Sequence, residues 1–196
     1  MTRRIIDLAL PERFATGTLG EPGDRTFFLQ AVQGREVTTV QLEKEQVAAL
    51  ADRVLAIIDE VERRGLAAID AGPAGELDER PLAQPVHEEF RVGTMIIAWD
   101  DDVDQLVVEA RSMTFDAGAG DVALRDSDDF DEDDIPYDAP ICPDVLRVHL
   151  TPPMAQQFAR RANRVVAGGE PVCPYCGAVL GPSGHFCERR FDDLVH

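Results

Sequence analysis

Long hydrophobic runs are absent from this chain of 196 residues. No stretch approaches the roughly 20 consecutive apolar residues that a membrane-spanning helix requires. The first residues are basic and then apolar, as in a secretory signal, but Asp7 and then Pro11-Glu12-Arg13 interrupt the apolar run. We therefore expect a cytoplasmic protein without a membrane span.

Positive charge is also scarce, because 19 Lys and Arg residues face 37 Asp and Glu residues, for a net charge of -18. Most of the excess lies between Asp100 and Asp138, where 15 acidic residues accompany only Arg111 and Arg125, a local charge of -13 (2 minus 15). Such a surface repels nucleic acid and anionic membranes. The charge therefore predicts no DNA or RNA partner and favours a protein partner with a basic surface.

Cysteine is rare, with four residues in the chain, and three of them lie between Cys173 and Cys187. This clustering argues against a disulfide framework and indicates a metal site. Cys173-Pro174-Tyr175-Cys176-Gly177 has the form of a zinc knuckle, and His185 and Cys187 complete a tetrahedral ligand set. We predict structural zinc, which would supply most of the folding energy of this short tail. Three residues could replace His185 as the fourth ligand: Cys142, His149 and His196.

An internal repeat organises the rest of the sequence. Three early stretches resemble three later stretches in the same order: 14–19 with 90–95, 27–31 with 106–110, and 37–58 with 145–166. The number of residues that separates matching positions increases along the chain. The second copy has therefore gained a long loop, which contains the acidic run.

Each copy is predicted to form three strands and a helix. β-Branched and aromatic residues, separated by turn sequences, indicate antiparallel hairpins. Apolar residues at helical spacing indicate a helix that ends at Gly65 in the first copy, and one that begins with Thr151 as N-cap and Pro152 in the second. The fold class is therefore α+β: two βββα repeats form a mainly antiparallel sheet with approximate two-fold symmetry, with two helices packed on one face and a zinc-ribbon-like tail. The predicted strands are 14–19, 26–32, 36–42, 89–99, 103–113 and 145–150, and the helices are 43–64 and a segment from 152 to about 167.

Four segments follow from this interpretation. Residues 1–70 form the first repeat, and 71–86 form a linker rich in Gly and Pro. Residues 87–169 form the second repeat, with an acidic loop insertion at about 112–144. Residues 170–196 form the zinc-binding tail.

The best match between the two copies lies at Gly17-Thr18 and Gly93-Thr94. One interpretation makes these residues, with Arg13, a symmetric site for a small anion at the repeat interface. The favoured interpretation is close strand packing or a bulge, because no phosphate-loop pattern accompanies the glycines. No nucleophile and base form a recognisable pair, so we predict no catalytic residue.

Three parts of the chain together resemble a known family. They are the start Leu8-Ala9-Leu10-Pro11-Glu12-Arg13-Phe14-Ala15-Thr16-Gly17, the repeat, and the ending that carries Cys173, Cys176, His185 and Cys187. The family is actinobacterial, of unknown function, and described as a repeat protein with a C-terminal cysteine-rich tail. Its members tend to be encoded beside a histidine-phosphatase-like protein and a protein related to lipid kinases. The resemblance implies a shared pathway without naming an activity.

Two functions remain open. The first is a non-enzymatic adaptor or regulator that binds partners through the acidic arm and the zinc tail, and an exposed sheet edge would permit a homodimer. In a variant of this hypothesis, the arm covers Arg160, Arg161 and Arg164 on the second helix. The alternative is an enzyme or binding protein for a phosphorylated small molecule at the repeat interface. It would use Arg13, Arg25 or Arg91 to hold the anion and a carboxylate such as Glu12 or Glu88 as base.

Overall fold

The computed structural model describes residues 4–20, 24–65, 78–113, 124–125 and 143–168, together with Cys173 and Cys187. This part of the chain contains eight strands and two helices. They are β1 (Ile5–Ala9), β2 (Arg13–Leu19), β3 (Thr26–Gln33), β4 (Glu36–Leu42), α1 (Lys44–Arg64), β5 (Phe90–Asp100), β6 (Gln105–Ser112), β7 (Leu124–Arg125), β8 (Val145–Leu150) and α2 (Pro152–Val166).

The strands form one mainly antiparallel sheet in the order β1-β8-β6-β5-β4-β3-β2, and β7 pairs separately with β5. Antiparallel pairing joins β2 to β3, β3 to β4, β5 to β6 and β6 to β8. Parallel pairing joins β1 to β8, β4 to β5 and β5 to β7. The predicted α+β class with two helices is confirmed, whereas β1 and β7 are additional strands.

Two groups of three strands, β2-β3-β4 and β5-β6-β8, lie side by side in the sheet, and we call them the strand triplets. β4 runs parallel to β5, and only Val40 with Phe90 and Gln41 with Arg91 are paired there. A two-fold axis normal to the sheet would make the strands at this junction antiparallel. An axis in that position is therefore excluded, and the repeat architecture with its approximate two-fold symmetry remains a prediction.

The sheet is strongly curled, as the connection between its two edge strands shows. β1 and β2 lie at opposite ends of the strand order, yet only residues 10–12 separate them in the chain. Four Cα–Cα steps span at most about 14 Å. The edges must therefore approach each other, and α2 packs against β2 as well as β6 and β8.

Both helices contribute to one hydrophobic core with the sheet. Glu43 forms a capping box with Gln46 at the start of α1, and Gly65 ends the helix with a φ of 68°, as predicted. Thr151 precedes Pro152 at the start of α2, but its side chain makes no capping hydrogen bond. No helix in the described ranges is long and apolar enough to cross a membrane. The most deeply buried large side chains are Phe158, Leu29, Leu42, Leu50, Ile58, Met95, Leu106, Leu146 and Leu150.

Candidate functional site

Residues 78–83, from the predicted linker, form a strap that is tied to the domain by Arg161 of α2. The Arg161 guanidinium is buried, and its Nε donates to the carbonyl oxygen of Thr16 on β2 at 2.6 Å. Nη2 donates to the carbonyl oxygen of Arg80 at 2.9 Å, and Nη1 donates to that of Asp78. Burial lowers the pKa of Arg161, because desolvation disfavours the charged form. One side chain therefore connects α2, β2 and the strap.

Arg13 of β2 holds the same strap from the other side. Its Nε lies 2.5 Å from Asp78 Oδ2, and its Nη2 donates to the carbonyl oxygen of Arg80 at 2.6 Å. Asp78 also accepts from the Arg80 guanidinium at 2.8 Å. The hydrogen bonds from Arg80 and then Arg13 hold the pKa of Asp78 well below its usual range, against the opposing effect of burial. The predicted role of Arg13 in a ligand site remains a prediction, since its donors here serve the strap.

Two further contacts seat the strap on the sheet. The Gln30 amide on β3 is buried and exchanges hydrogen bonds with the backbone of Ala83, at 2.7 Å and 3.2 Å. Leu82 is buried against Gly17, where an added Cβ would lie only 2.7 Å from the Leu82 Cγ atom. The glycine in β2 thus leaves the space that Leu82 occupies.

The paired glycine-threonine positions are not brought together. Gly17 is in β2 and Gly93 is in β5, and β3 and β4 lie between them, a path of about 14 Å along the sheet at ordinary strand spacing. Gly93 lies where the β5–β6 register shifts, and an added Cβ would approach the Met113 Cα atom to 2.9 Å. These surroundings agree with the favoured interpretation of close packing and a bulge. Whether Gly17, Thr18, Gly93 or Thr94 contacts a ligand remains a prediction.

A groove opens where the β2–β3 turn meets the C-terminal end of α2. It consists of a cavity of about 430 Å³ beside the strap and an adjoining cavity of about 720 Å³ beside the start of α1. Arg25 and Gly168 line both parts. We call this feature the Arg25 groove. Its other charged lining residues are Asp78, Glu79, Arg161 and Arg164 in the first part, and Glu43, Lys44, Glu45 and Arg91 in the second.

The charged residues of the Arg25 groove differ in their partners. Arg164 pairs with Glu79, and Arg91 pairs with Glu43. The Arg25 guanidinium makes no ion pair or hydrogen bond with another described residue. Arg25 is therefore a cation that lines both parts of the groove without a partner among the described residues.

The base of the acidic insertion lies beside this groove. The backbone N–H of Ser112 donates to the carbonyl oxygen of Asp144 at 2.8 Å, and the Asp144 N–H donates to the Ser112 hydroxyl at 2.9 Å. The Met113 N–H donates to the carbonyl oxygen of Arg91, a groove residue, at 2.9 Å. The two ends of the insertion are thus held together at the edge of the Arg25 groove.

A second charged cluster crosses β1, β8 and β6. Glu109 is buried and accepts from Arg111 Nη2 at 2.9 Å and from Arg147 Nε at 2.6 Å. Desolvation raises the pKa of Glu109, but the hydrogen bonds from Arg111 and Arg147 outweigh it and the net shift is downward. His149 Nε2 lies 3.3 Å from Asp7 Oδ1 in the same cluster. These contacts link strands that are distant in the sequence.

Only part of the predicted zinc set is described. Cys173 and Cys187 are both buried, with 4% and 5% of their surface exposed. Cys176, His185 and the alternative ligands Cys142 and His196 lie outside the described residues, as does the middle of the acidic insertion. Among the described residues there is no group of three potential metal-ligating side chains. The zinc site therefore remains a prediction.

The described residues define an α+β protein with a curled, mainly antiparallel sheet and a charged groove at the end of α2. A family model described as "Protein of unknown function (DUF3090)" matches residues 7–187. The chain belongs to this DUF3090 family, which agrees with the resemblance to a family of unknown function; the actinobacterial origin remains a prediction. Comparison with curated proteins gives no match, and comparison with solved structures gives none either.

Proposed function

We propose that the chain is a non-enzymatic adaptor or regulator of the cytoplasm that binds a protein partner through its acidic insertion and zinc-stabilised tail. The observation that carries this proposal is the closed base of the insertion. Ser112 and Asp144 join its two ends by hydrogen bonds, in continuation of the β6–β8 pairing. A strongly acidic segment is in this way attached to a rigid pair of strands.

Replacing residues 114–142 with a two-glycine link tests this role. β6 and β8 pair independently of the insertion, and within the described residues the deletion removes only the two-residue pairing of β7 with β5. The sheet should therefore still fold, with a melting temperature lower by no more than about 4 °C, the effect of roughly 1 kcal/mol in a protein of this size. Capture of a partner from cytosol should be lost. A matched control keeps the length of the insertion and replaces its Asp and Glu residues with Asn and Gln. Undiminished capture by both variants would contradict the proposal.

We also propose that Cys173, Cys176, His185 and Cys187 bind one structural zinc ion. The burial of Cys173 and Cys187 supports this assignment, since a thiolate cluster around a metal is shielded from water. Elemental analysis should find one zinc per chain, lost in the Cys173→Ser, Cys176→Ser double variant and retained in the Cys142→Ser control. Zinc loss in the Cys142→Ser variant, with retention in His185→Ala, would instead assign Cys142 as the fourth ligand.

The sheet order supports an origin of the two strand triplets by duplication, which we also propose. A small-molecule site at the junction of the triplets remains a prediction without a favouring observation. At this junction, the buried Gln46 amide of α1 donates to the carbonyl oxygens of Val92 and Gly93 on β5, at 3.2 Å and 3.4 Å.

A further inference from the structure

The Arg25 groove has the charge and size of a small-molecule site. The part beside the strap, about 430 Å³, falls within the range of about 300–1,000 Å³ that is typical of ligand pockets. Its charged lining carries three arginines, Arg25, Arg161 and Arg164, against Asp78 and Glu79. The local charge is thus +1 (3 minus 2), in a chain whose net charge is -18. A positive groove in so acidic a protein favours an anion.

The three arginines differ in how directly they can contact a bound anion. Arg161 directs its donors to backbone carbonyls, so it supplies positive potential. Arg25 has its donors free of other described residues and lies at the end of α2. Gly168, with a φ of +69°, leaves room for it there: an added Cβ would lie 3.2 Å from Arg25 Nη1. Arg25 is therefore the primary contact for an anion.

Arg164 can become the second contact by exchanging its partner. Its side chain is 47% exposed, and that of Glu79 is 61% exposed. An ion pair this exposed contributes little, because water screens both charges. A ligand with a single carboxylate would gain little by displacing Glu79, which offers the same group. A doubly charged oxyanion has more charge and more acceptor oxygens, so it can engage Arg25 and Arg164 together.

We propose that the Arg25 groove binds a small molecule through a phosphate monoester group, which Arg25 and Arg164 hold together after Arg164 leaves Glu79. The binding arginines line the part of the groove beside the strap, and the adjoining part reaches the triplet junction at Gln41 and Arg91. The site requires neither the acidic insertion nor a metal ion. The remaining volume of the groove would hold the organic part of the molecule.

Calorimetric titration of the full chain with phenyl phosphate, at low and constant ionic strength, tests the proposal. We expect saturable binding below about 10 mM, in the range of weak specific contacts. Arg25→Gln should weaken it about tenfold or more, the effect of one charge-assisted hydrogen bond. Arg35→Gln is the matched control, because Arg35 is exposed in the turn at the opposite end of β3, and it should leave binding unchanged.

Glu79→Gln gives the sharper test, because it changes an exposed side chain that has no role in the core. Removing the competing carboxylate frees Arg164 and should tighten binding about two- to fivefold. Affinity should also rise from pH 5 to 7.5, as the monoester loses its second proton near about pH 6. Acetate should bind much more weakly than phenyl phosphate.

Arg25 could instead serve only to balance the negative end of the α2 dipole. In that case Arg25→Gln would lower the melting temperature without changing phenyl phosphate affinity, and the proposal would be wrong. It would also be overturned by the absence of saturable binding, by equal affinity for acetate, or by weaker binding in Glu79→Gln. If Arg25→Gln does not fold, the change in phenyl phosphate affinity caused by Glu79→Gln still decides between the two roles.

Discussion

Arg161 offers the most direct test of how the strap is held. Replacing it with Met keeps the aliphatic bulk and removes the donors to the carbonyl oxygens of Thr16, Asp78 and Arg80. A hydrogen bond from a charged donor contributes about 1.5–3 kcal/mol. Water can reach the strap carbonyls, whereas Thr16 is fully buried. We therefore expect a loss of about 3 kcal/mol, toward the lower end of the range for breaking a buried charged contact.

In a protein of this size, 1 kcal/mol corresponds to about 2–4 °C in melting temperature, so Arg161→Met should lower it by about 6–12 °C. Arg164→Met, one turn further along α2, breaks only an exposed ion pair and should cost less than about 1 kcal/mol. A glutamate-specific protease should also cut more quickly after Glu79 in Arg161→Met. A drop below about 3 °C, or an equal drop in both variants, would refute the proposed role of Arg161.

Two further predictions concern the same region. Gly17→Ala places a Cβ against Leu82, so it should cost about 1–3 kcal/mol in unfolding free energy by overpacking, and the cost should be smaller in a Leu82→Ala background. Denaturant unfolding of the four chains measures this coupling, and equal costs in both backgrounds would contradict the packing argument. Asp78 has a lower pKa in the folded chain, so its contribution to stability is present above its unfolded pKa, about 3.9, and is lost as the pH falls. Asp78→Asn should therefore show a smaller loss of stability below pH 4 than the unmodified chain, in thermal melts at several pH values, and parallel curves would argue against the Asp78 contacts.

Most of the regular structure could be predicted because local sequence periodicity specifies it. The hairpins follow from β-branched strands between turn residues, and α1 follows from an apolar stripe closed by Gly65. The parallel pairing of β1 with β8 could not be predicted in this way. Its partners Ile5 and Val145 lie 140 residues apart, and only Leu8 of β1 is buried. No local pattern encodes such a contact.

The composition of the strap gives no indication that this segment packs against the domain. Its Pro and Gly neighbours indicate a linker, and the segment has no period that would predict packing. The informative signal is Leu82, an isolated large apolar residue in a polar stretch, together with Gly17 in a strand. Each residue alone has an ordinary explanation, and only the tertiary structure shows that one fills the space left by the other.

The role of Arg161 was missed for a related reason. The pattern of three arginines in five residues predicts surface positions of α2 that an acidic arm could cover. The structure instead buries Arg161 beside Phe158 and Ala162 on the inner face of the helix. Arg161 follows Phe158 by three positions, so helical spacing already places it at the border of the apolar stripe. An arginine at that border can bury its stem and direct its donors to backbone carbonyls.

The nature of these contacts explains why arginine is used in the strap. Lys44 is the only lysine in the sequence, so nearly all the positive charge resides on guanidinium groups. A guanidinium presents five donors in a fixed plane, whereas an ammonium is a compact point charge. Arg161→Lys keeps the charge but cannot reach three separate carbonyls, so it should recover less than half of the melting temperature lost in Arg161→Met. Full recovery would show that charge alone holds the strap, and that the planar geometry of Arg161 is not needed.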